Sequence, residues 1–249
     1  MYTPKLAIYH SNVETGLLLE ILSTFVQLLE TTPVLEAHGV KVDIKPVFLG
    51  AINAGSGNKP PWSLPAKAQY APFDYQRSNK AAGLAYISPP EDLMAASRSV
   101  IPLRALHYIK ATYPLQTYLT TWHYLLHVFW GPVKSNVSDA AELAKTLSEV
   151  PSGFKGPGTA KGSQPLFGKH EVEDILKAAN EEKWKGALKT TVEEALERGA
   201  FGTPWIWATN SKGEGEPFFG SDRWHFVYEF LGLPHQKVAL LPPKEGAKL

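Results

Sequence analysis

Between Gly199 and Arg223 the chain reads GAFGTPWIWATNSKGEGEPFFGSDR, and few architectures accommodate that order of elements. Proline has no backbone N–H, so Pro204 belongs at the first residue of a strand, WIWAT; a tight X-Pro bend there is a place for a cis peptide. The polar turn NSKGEGE returns the chain through a second strand, PFF, to Gly220-Ser221-Asp222 and an apolar helical run ending at Gly232. The spacing predicts a ββα unit whose helix is capped from Ser221. An unpaired Thr203 main chain and a helix N-terminus would together suit a small zwitterionic ligand.

The rest of the chain supplies the complement. KLAIYH at 5–10 reads as a buried strand, and a polar segment leads into a helix on which Leu18, Ile21, Leu22, Phe25, Leu28 and Leu29 keep helical spacing. Val40, Val42 and Ile44 alternate with charged residues in the next strand, completing a right-handed βαβ unit before residue 50. From about 50 to 75 the density of proline and glycine predicts a loop rather than a long helix. Residues 91–113, 115–130, 138–149 and 170–198 carry helical patterns, with SPPEDL and SNVSDAAEL as starts. Between the last two, VPSGFKGPGTAKGSQPLFG reads as a mobile surface connection, or a flap.

Composition narrows the chemistry. With no cysteine in 249 residues, disulfides, thiolate metal sites and protein-thiol redox are excluded, so any thiol must arrive with a ligand. A net charge of +1 and the lack of a basic cluster argue against nucleic acid, and no apolar run is long enough to span a membrane. His123 and His127, spaced i, i+4 in WHYLLHVFW, allow a zinc reading, but their aromatic surroundings favour core or interface histidines and no metal site is assigned.

A βαβ unit, a run of helices and a closing ββα unit describe an α/β fold: a thioredoxin-like sheet with an inserted all-helical domain. The expected boundaries are 1–60 and 195–249 for the thioredoxin-like part and 61–194 for the insert. SGNKPP at 56–61 with the P-x-K of Pro65 to Lys67, and GAFGTP with FGSDR, make the sequence resemble kappa-class glutathione transferases, within the wider disulfide-oxidoreductase-like and 2-hydroxychromene-2-carboxylate isomerase group. The resemblance implies that glutathione is the cofactor and a small hydrophobic electrophile the second substrate. Thr203 before Pro204 would meet the cysteinyl main chain, Ser221 and Asp222 the γ-glutamyl end, and Asn58 and Lys67 the remainder, with Lys67 suited to the glycine carboxylate. It also implies a homodimer.

The first loop departs from the pattern. The family's D-x-x-S-P-Y/F segment is replaced by Tyr9-His10-Ser11-Asn12-Val13-Glu14-Thr15-Gly16, which brings Ser11 or Asn12 near the family's serine and adds His10 as a general acid or base. A free thiol with a pKa of about 8.5 needs about 2 kcal/mol to be half ionised near neutrality. One hydrogen bond to a charged group supplies about 1.5–3 kcal/mol, so Ser11 or Asn12 would suffice as the donor. The alternatives are a glutathione-dependent isomerase or pathway-specific tailoring enzyme, with Glu14 a further reactive candidate, and a non-catalytic glutathione-binding protein. Ala247-Lys248-Leu249 resembles a peroxisomal address; otherwise the expected location is mitochondrial or cytoplasmic.

Overall fold

The computed structural model describes residues 2–11, 20–60, 63–92, 96, 98–159 and 162–236. Four strands form one sheet in the order β2-β1-β3-β4: β1 (Lys5–His10), β2 (Lys41–Pro46), β3 (Trp205–Thr209) and β4 (Gly215–Phe219). β1 and β2 are parallel, joined by α1 (Glu20–Ala37), and the other two pairings are antiparallel. Between β2 and β3 run α2 (Leu49–Ser56), α3 (Pro65–Ala81), α4 (Val100–Thr112), α5 (Leu115–Trp130), α6 (Ala140–Ser148), α7 (Lys169–Ala178) and α8 (Glu182–Glu197); α9 (Trp224–Leu231) follows β4. The mixed α/β architecture is thioredoxin-like, with the helices between β2 and β3.

Strand alternation divides the core in two. Leu6, Ile8, Ile44, Ile206 and Ala208 face α1, α4 and α5, and this core continues without a break into the helical layer through Leu106, Trp122, Phe129 and Phe167. On the other face Tyr9 and Trp205 pack with Val47, Leu49 and Ile52 of the α2 region and Val192 and Ala195 of α8.

Three local expectations change. The 50–75 loop is largely helical: Pro65 occupies the first turn of α3, where its missing N–H leaves no bond unmade, and Pro72 lies on the exposed face, where the Ala68 carbonyl is left to water. Residues 170–198 divide into α7 and α8, with a break at 179–181. The helix after β4 is not capped by Ser221. Arg223 stands at its N-cap without a side-chain bond, because Gly220, at φ 91°, turns the chain so that Ser221 and Asp222 stay outside the helix. The SPPEDL start runs into residues outside the described ones.

The 150–168 segment is closed at its neck. Leu166 N–H donates to the Val150 carbonyl at 2.8 Å and Ser152 N–H to the Gln164 carbonyl at 2.9 Å. Phe154 is buried against the rings of His123 and His127, with centroids 5.0 and 5.1 Å away.

At the other end of α9 the predicted glycine stop is present: Gly232 has φ 70°. A Cβ there would touch nothing within 4 Å, so Gly232→Ala should cost only the left-handed backbone penalty, about 1–2 kcal/mol, read as a lower urea midpoint with an unchanged slope. An unchanged midpoint would show that the C-terminal turn of α9 does not hold this conformation in solution.

Candidate functional site

The sheet register brings the singled-out segments to one end. Tyr9 pairs with Trp205 and Trp205 with Phe219, so the next rung holds His10, Pro204 and Gly220, with Ser11, Thr203 and Ser221 just beyond. Gly220 N–H donates to the Pro204 carbonyl at 3.2 Å, and His10 accepts at its carbonyl from Val47 N–H at 2.9 Å. The Thr203–Pro204 bond is cis, and Thr203 is buried. Among the described residues no backbone hydrogen bond involves the Thr203 amide or carbonyl.

Asn58 reaches this end from the helical side. Gly57, at φ 74°, ends α2 and turns the chain, and the Asn58 side-chain amide donates to the Phe201 carbonyl at 2.7 Å. Lys67 is exposed on the first turn of α3. Ser221 and Asp222 line a cleft of about 320 Å3 whose other walls come from Ser23, Gln27 and Glu30 of α1 and Ser78 of α3. Asp222 lies 3.6 Å from the Arg223 guanidinium, an exposed pair that leaves the carboxylate open to solvent. The α1 contribution went unread in the sequence, yet it has a signal: Ser23, Gln27 and Glu30 recur at i, i+4 and i+7, a polar stripe along one side of the helix.

His10 and Ser11 lie at the end of β1, and both are buried. His10 is boxed edge-on by Phe25 at 5.4 Å and Trp122 at 5.6 Å. Burial lowers its pKa to about 4, against a smaller opposing effect of the Ser11 and Ile21 main chains, so the ring is neutral at physiological pH. Its Nδ1 is 2.8 Å from the Ser11 carbonyl, which can only accept; Nδ1 therefore carries the proton and Nε2 is left as an acceptor. Nε2 has no hydrogen-bond partner among the described residues. A neutral imidazole in this tautomer offers a lone pair, not a donor, at Nε2. It cannot by itself stabilise a thiolate. Asn12 and Glu14 lie outside the described residues, as do Pro61 and the Ala247–Leu249 address.

On the opposite sheet face the preceding rung, that of Tyr9, is clamped ionically. Arg198 donates to the Tyr9 hydroxyl at 2.7 Å and pairs with Glu194 at 2.9 Å, and Lys45 pairs with Glu194 at 2.6 Å. Burial raises the Tyr9 pKa well above the ordinary phenol value, with Arg198 opposing, so Tyr9 remains a neutral phenol. Only the i, i+4 spacing of Glu194 and Arg198 was legible locally; Tyr9 and Arg198 are 189 residues apart.

His123 and His127 are arranged around Phe154 rather than around a common point, and burial lowers the pKa of both, that of His123 to about 4. No group of three or more metal-ligating side chains occurs among the described residues, and no described helix is long and apolar enough to cross a membrane.

No family model matches the chain. Glutathione S-transferase kappa 1 of Caenorhabditis elegans is 26% identical over 198 residues, covering 79% of both chains. The Homo sapiens protein of the same name is 26% identical over 212 residues, covering 84% of this chain and 85% of its own. Among solved structures, a 2-hydroxychromene-2-carboxylate isomerase superposes with a TM-score of 0.63 over 92% of this chain and 94% of its own, at 15% identity. In sequence the chain is therefore similar to kappa-class glutathione transferases, and in fold to a 2-hydroxychromene-2-carboxylate isomerase.

Proposed function

We propose that this protein is a glutathione-dependent enzyme of the kappa transferase type, which binds glutathione at the His10–Pro204–Gly220 end of the sheet and activates its thiol for attack on a small electrophile. The observation that carries the reading is the convergence there of three features: an unpaired Thr203 main chain, the Ser221–Asp222 cleft and the Asn58–Phe201 tie. A tripeptide analogue needs a backbone edge, a counter-charge for its ammonium and donors for its carboxylates. Thr203 supplies the first and Asp222 the second. Ser221, Asn58 and Lys67 are the donors in this reading. Relatives that align over about four fifths of their length and are named glutathione transferases support the same chemistry.

Activation of sulfur then falls to Ser11 or Asn12, because the His10 tautomer presents an acceptor. An isomerase is the alternative that one observation favours. The Nε2 lone pair of His10, buried and without a hydrogen-bond partner among the described residues, is the group that would take up a substrate proton, although a pKa of about 4 makes it a weak base unless a neighbouring thiolate raises it. A homodimer and a peroxisomal location remain part of the proposal; sedimentation measurements of mass in solution and localisation of the chain with and without Ala247–Leu249 test them.

The binding half is tested by calorimetry with glutathione. The Ser221→Ala/Asp222→Asn pair removes one neutral and one charge-assisted contact, about 2–4 kcal/mol together, so affinity should fall on the order of 30- to 1000-fold while stability is little changed. Equal affinity in the variant would move the ligand away from this cleft. Turnover of a standard aryl halide electrophile separates the remaining readings: glutathione binding without thiolate absorbance or turnover would leave a binding protein.

A further inference from the structure

Among the described residues, the face of the sheet that carries Tyr9 is covered by α2 and α8 over its inner rung, and nothing described covers the outer two rungs. In register across the strands, the middle rung on this face is Asp43, Ala7, Trp207 and Pro217, and the outer rung is Lys41, Lys5, Thr209 and Gly215. The β1, β2 and β3 members of these two rungs floor a cleft of about 500 Å3, with Arg198 and Lys45 at its inner end.

Its charge is unbalanced. Four cations, Lys5, Lys41, Lys45 and Arg198, line it against one carboxylate, Asp43. Lys45 and Arg198 are held by Glu194, and Asp43 is paired with Lys110. Lys5 and Lys41 take part in no ion pair among the described residues, although they are direct neighbours in the β1–β2 register. Like charges set side by side on adjacent strands repel, and an anion placed between them removes the repulsion.

The inner half of the cleft has a different character. Ala7 is the smallest side chain of its rung and leaves a hollow beside Trp207. The indole is seated on Gly215, where a Cβ would lie 2.7 Å from the ring, and the Arg198 guanidinium stands 5.6 Å from its centre. Arg198 is itself fixed by the Tyr9 hydroxyl and Glu194, so a planar cation and an indole border the hollow in set positions.

We propose that this cleft is a second binding site, separate from the glutathione end of the sheet, for a small flat aromatic molecule bearing a terminal phosphate or comparable anion. The aromatic body lies over Ala7, against the outer side of the Trp207–Arg198 pair, whose members are too close to admit a ring between them. The anion lies over the outer rung, where the two lysine ammonium groups and the Thr209 hydroxyl donate to it.

Calorimetry on the full chain at low ionic strength tests this with adenosine 5′-monophosphate and inorganic phosphate as probes, since exposed charge contacts are screened by salt. Adenosine monophosphate should bind at least about tenfold more tightly than phosphate, and Lys5→Gln/Lys41→Gln should weaken it by about tenfold or more. Trp207→Phe, which keeps a ring over Gly215, should weaken it less than the lysine pair, and glutathione turnover should be unchanged by Lys5→Gln/Lys41→Gln. The proposal is overturned by no heat at millimolar nucleotide, by phosphate binding as tightly as the nucleotide, or by binding that survives loss of both lysines. Displacement of the nucleotide by glutathione also overturns it, because that would put the probe in the Ser221–Asp222 cleft.

Discussion

Acidification from pH 7 to pH 5 should strip this protein of a large share of its stability, on the order of 5 kcal/mol, well before its carboxylates titrate. His10, His107 and His123 each have a pKa lowered from 6.5 to about 4, in every case chiefly by burial. The unfolded chain takes up these three protons near pH 6.5 and the folded chain only near pH 4. Between those values the unfolded state binds more protons, so stability rises with pH and is lost as pH falls through the window. Each histidine contributes a slope of up to about 1.4 kcal/mol per pH unit, or about 2 kcal/mol by pH 5. Below that, Glu194 adds a further loss. Its pKa is held down by Lys45, a smaller Arg198 effect and hydrogen bonding, against the cost of burial, so its contribution is present above the ordinary carboxylate pKa and goes as it protonates.

Urea midpoints measured at pH 7, 6 and 5 read the effect directly. Among the described residues His107 bonds only the Pro46 carbonyl, through Nε2 at 3.0 Å, so His107→Gln can keep a donor there while removing one titrating group. That variant should retain about two thirds of the wild-type slope. Midpoints that stay level from pH 7 to pH 5 would mean that these rings are hydrated in solution.

Replacing Trp122 by alanine is the second large effect. The indole is fully buried, lies 5.6 Å from His10 and 5.1 Å from Phe25, and contacts Tyr118 at 5.5 Å. Loss of a buried tryptophan costs about 3–5 kcal/mol, which for a chain of this size lowers the melting temperature by on the order of 10 °C. The variant also removes one wall of the His10 box. Water reaching the ring should raise its pKa toward 6.5, so the acid sensitivity above should become shallower even as the protein becomes less stable. A histidine ring titration followed by NMR separates the two consequences. A lower melting point with the His10 pKa still near 4 would show that Phe25 and the β1 end alone keep water out.

Trp122 also marks where the sequence was readable and where it was not. The strands were legible because KLAIYH and WIWAT are compact apolar runs between turn residues, and the cis bond fell at a Thr-Pro step whose place in the fold left little choice. Asn58, Thr203 and Ser221 could be proposed together because each sits in a short motif and the motifs keep a fixed order. α3 was missed because Pro65 and Pro72 are breakers only if the carbonyls they deprive are buried, and burial is not written locally. The same is true of the cap on α9: Ser221 has the right chemistry for it, but the turn at Gly220 sends the side chain elsewhere. The polar stripe of α1 was visible as spacing, whereas in the Tyr9–Arg198–Glu194–Lys45 lattice only the i, i+4 pair of Glu194 and Arg198 at the end of α8 was written locally, and its links to β1 and β2 had no signal in either strand.

That lattice bears on how substrates are told apart. Tyr9 and His10 are consecutive and point to opposite faces of β1, one bolted down by charge and the other walled in by rings. The end of the strand is thereby gripped from above and below, and it has no freedom to reshape itself around different ligands. Selectivity must then be written in the parts that surround this anvil, the residues after Ser11 and the helices facing it, and substitutions that broaden the substrate range should accumulate there while positions 9 and 10 stay fixed.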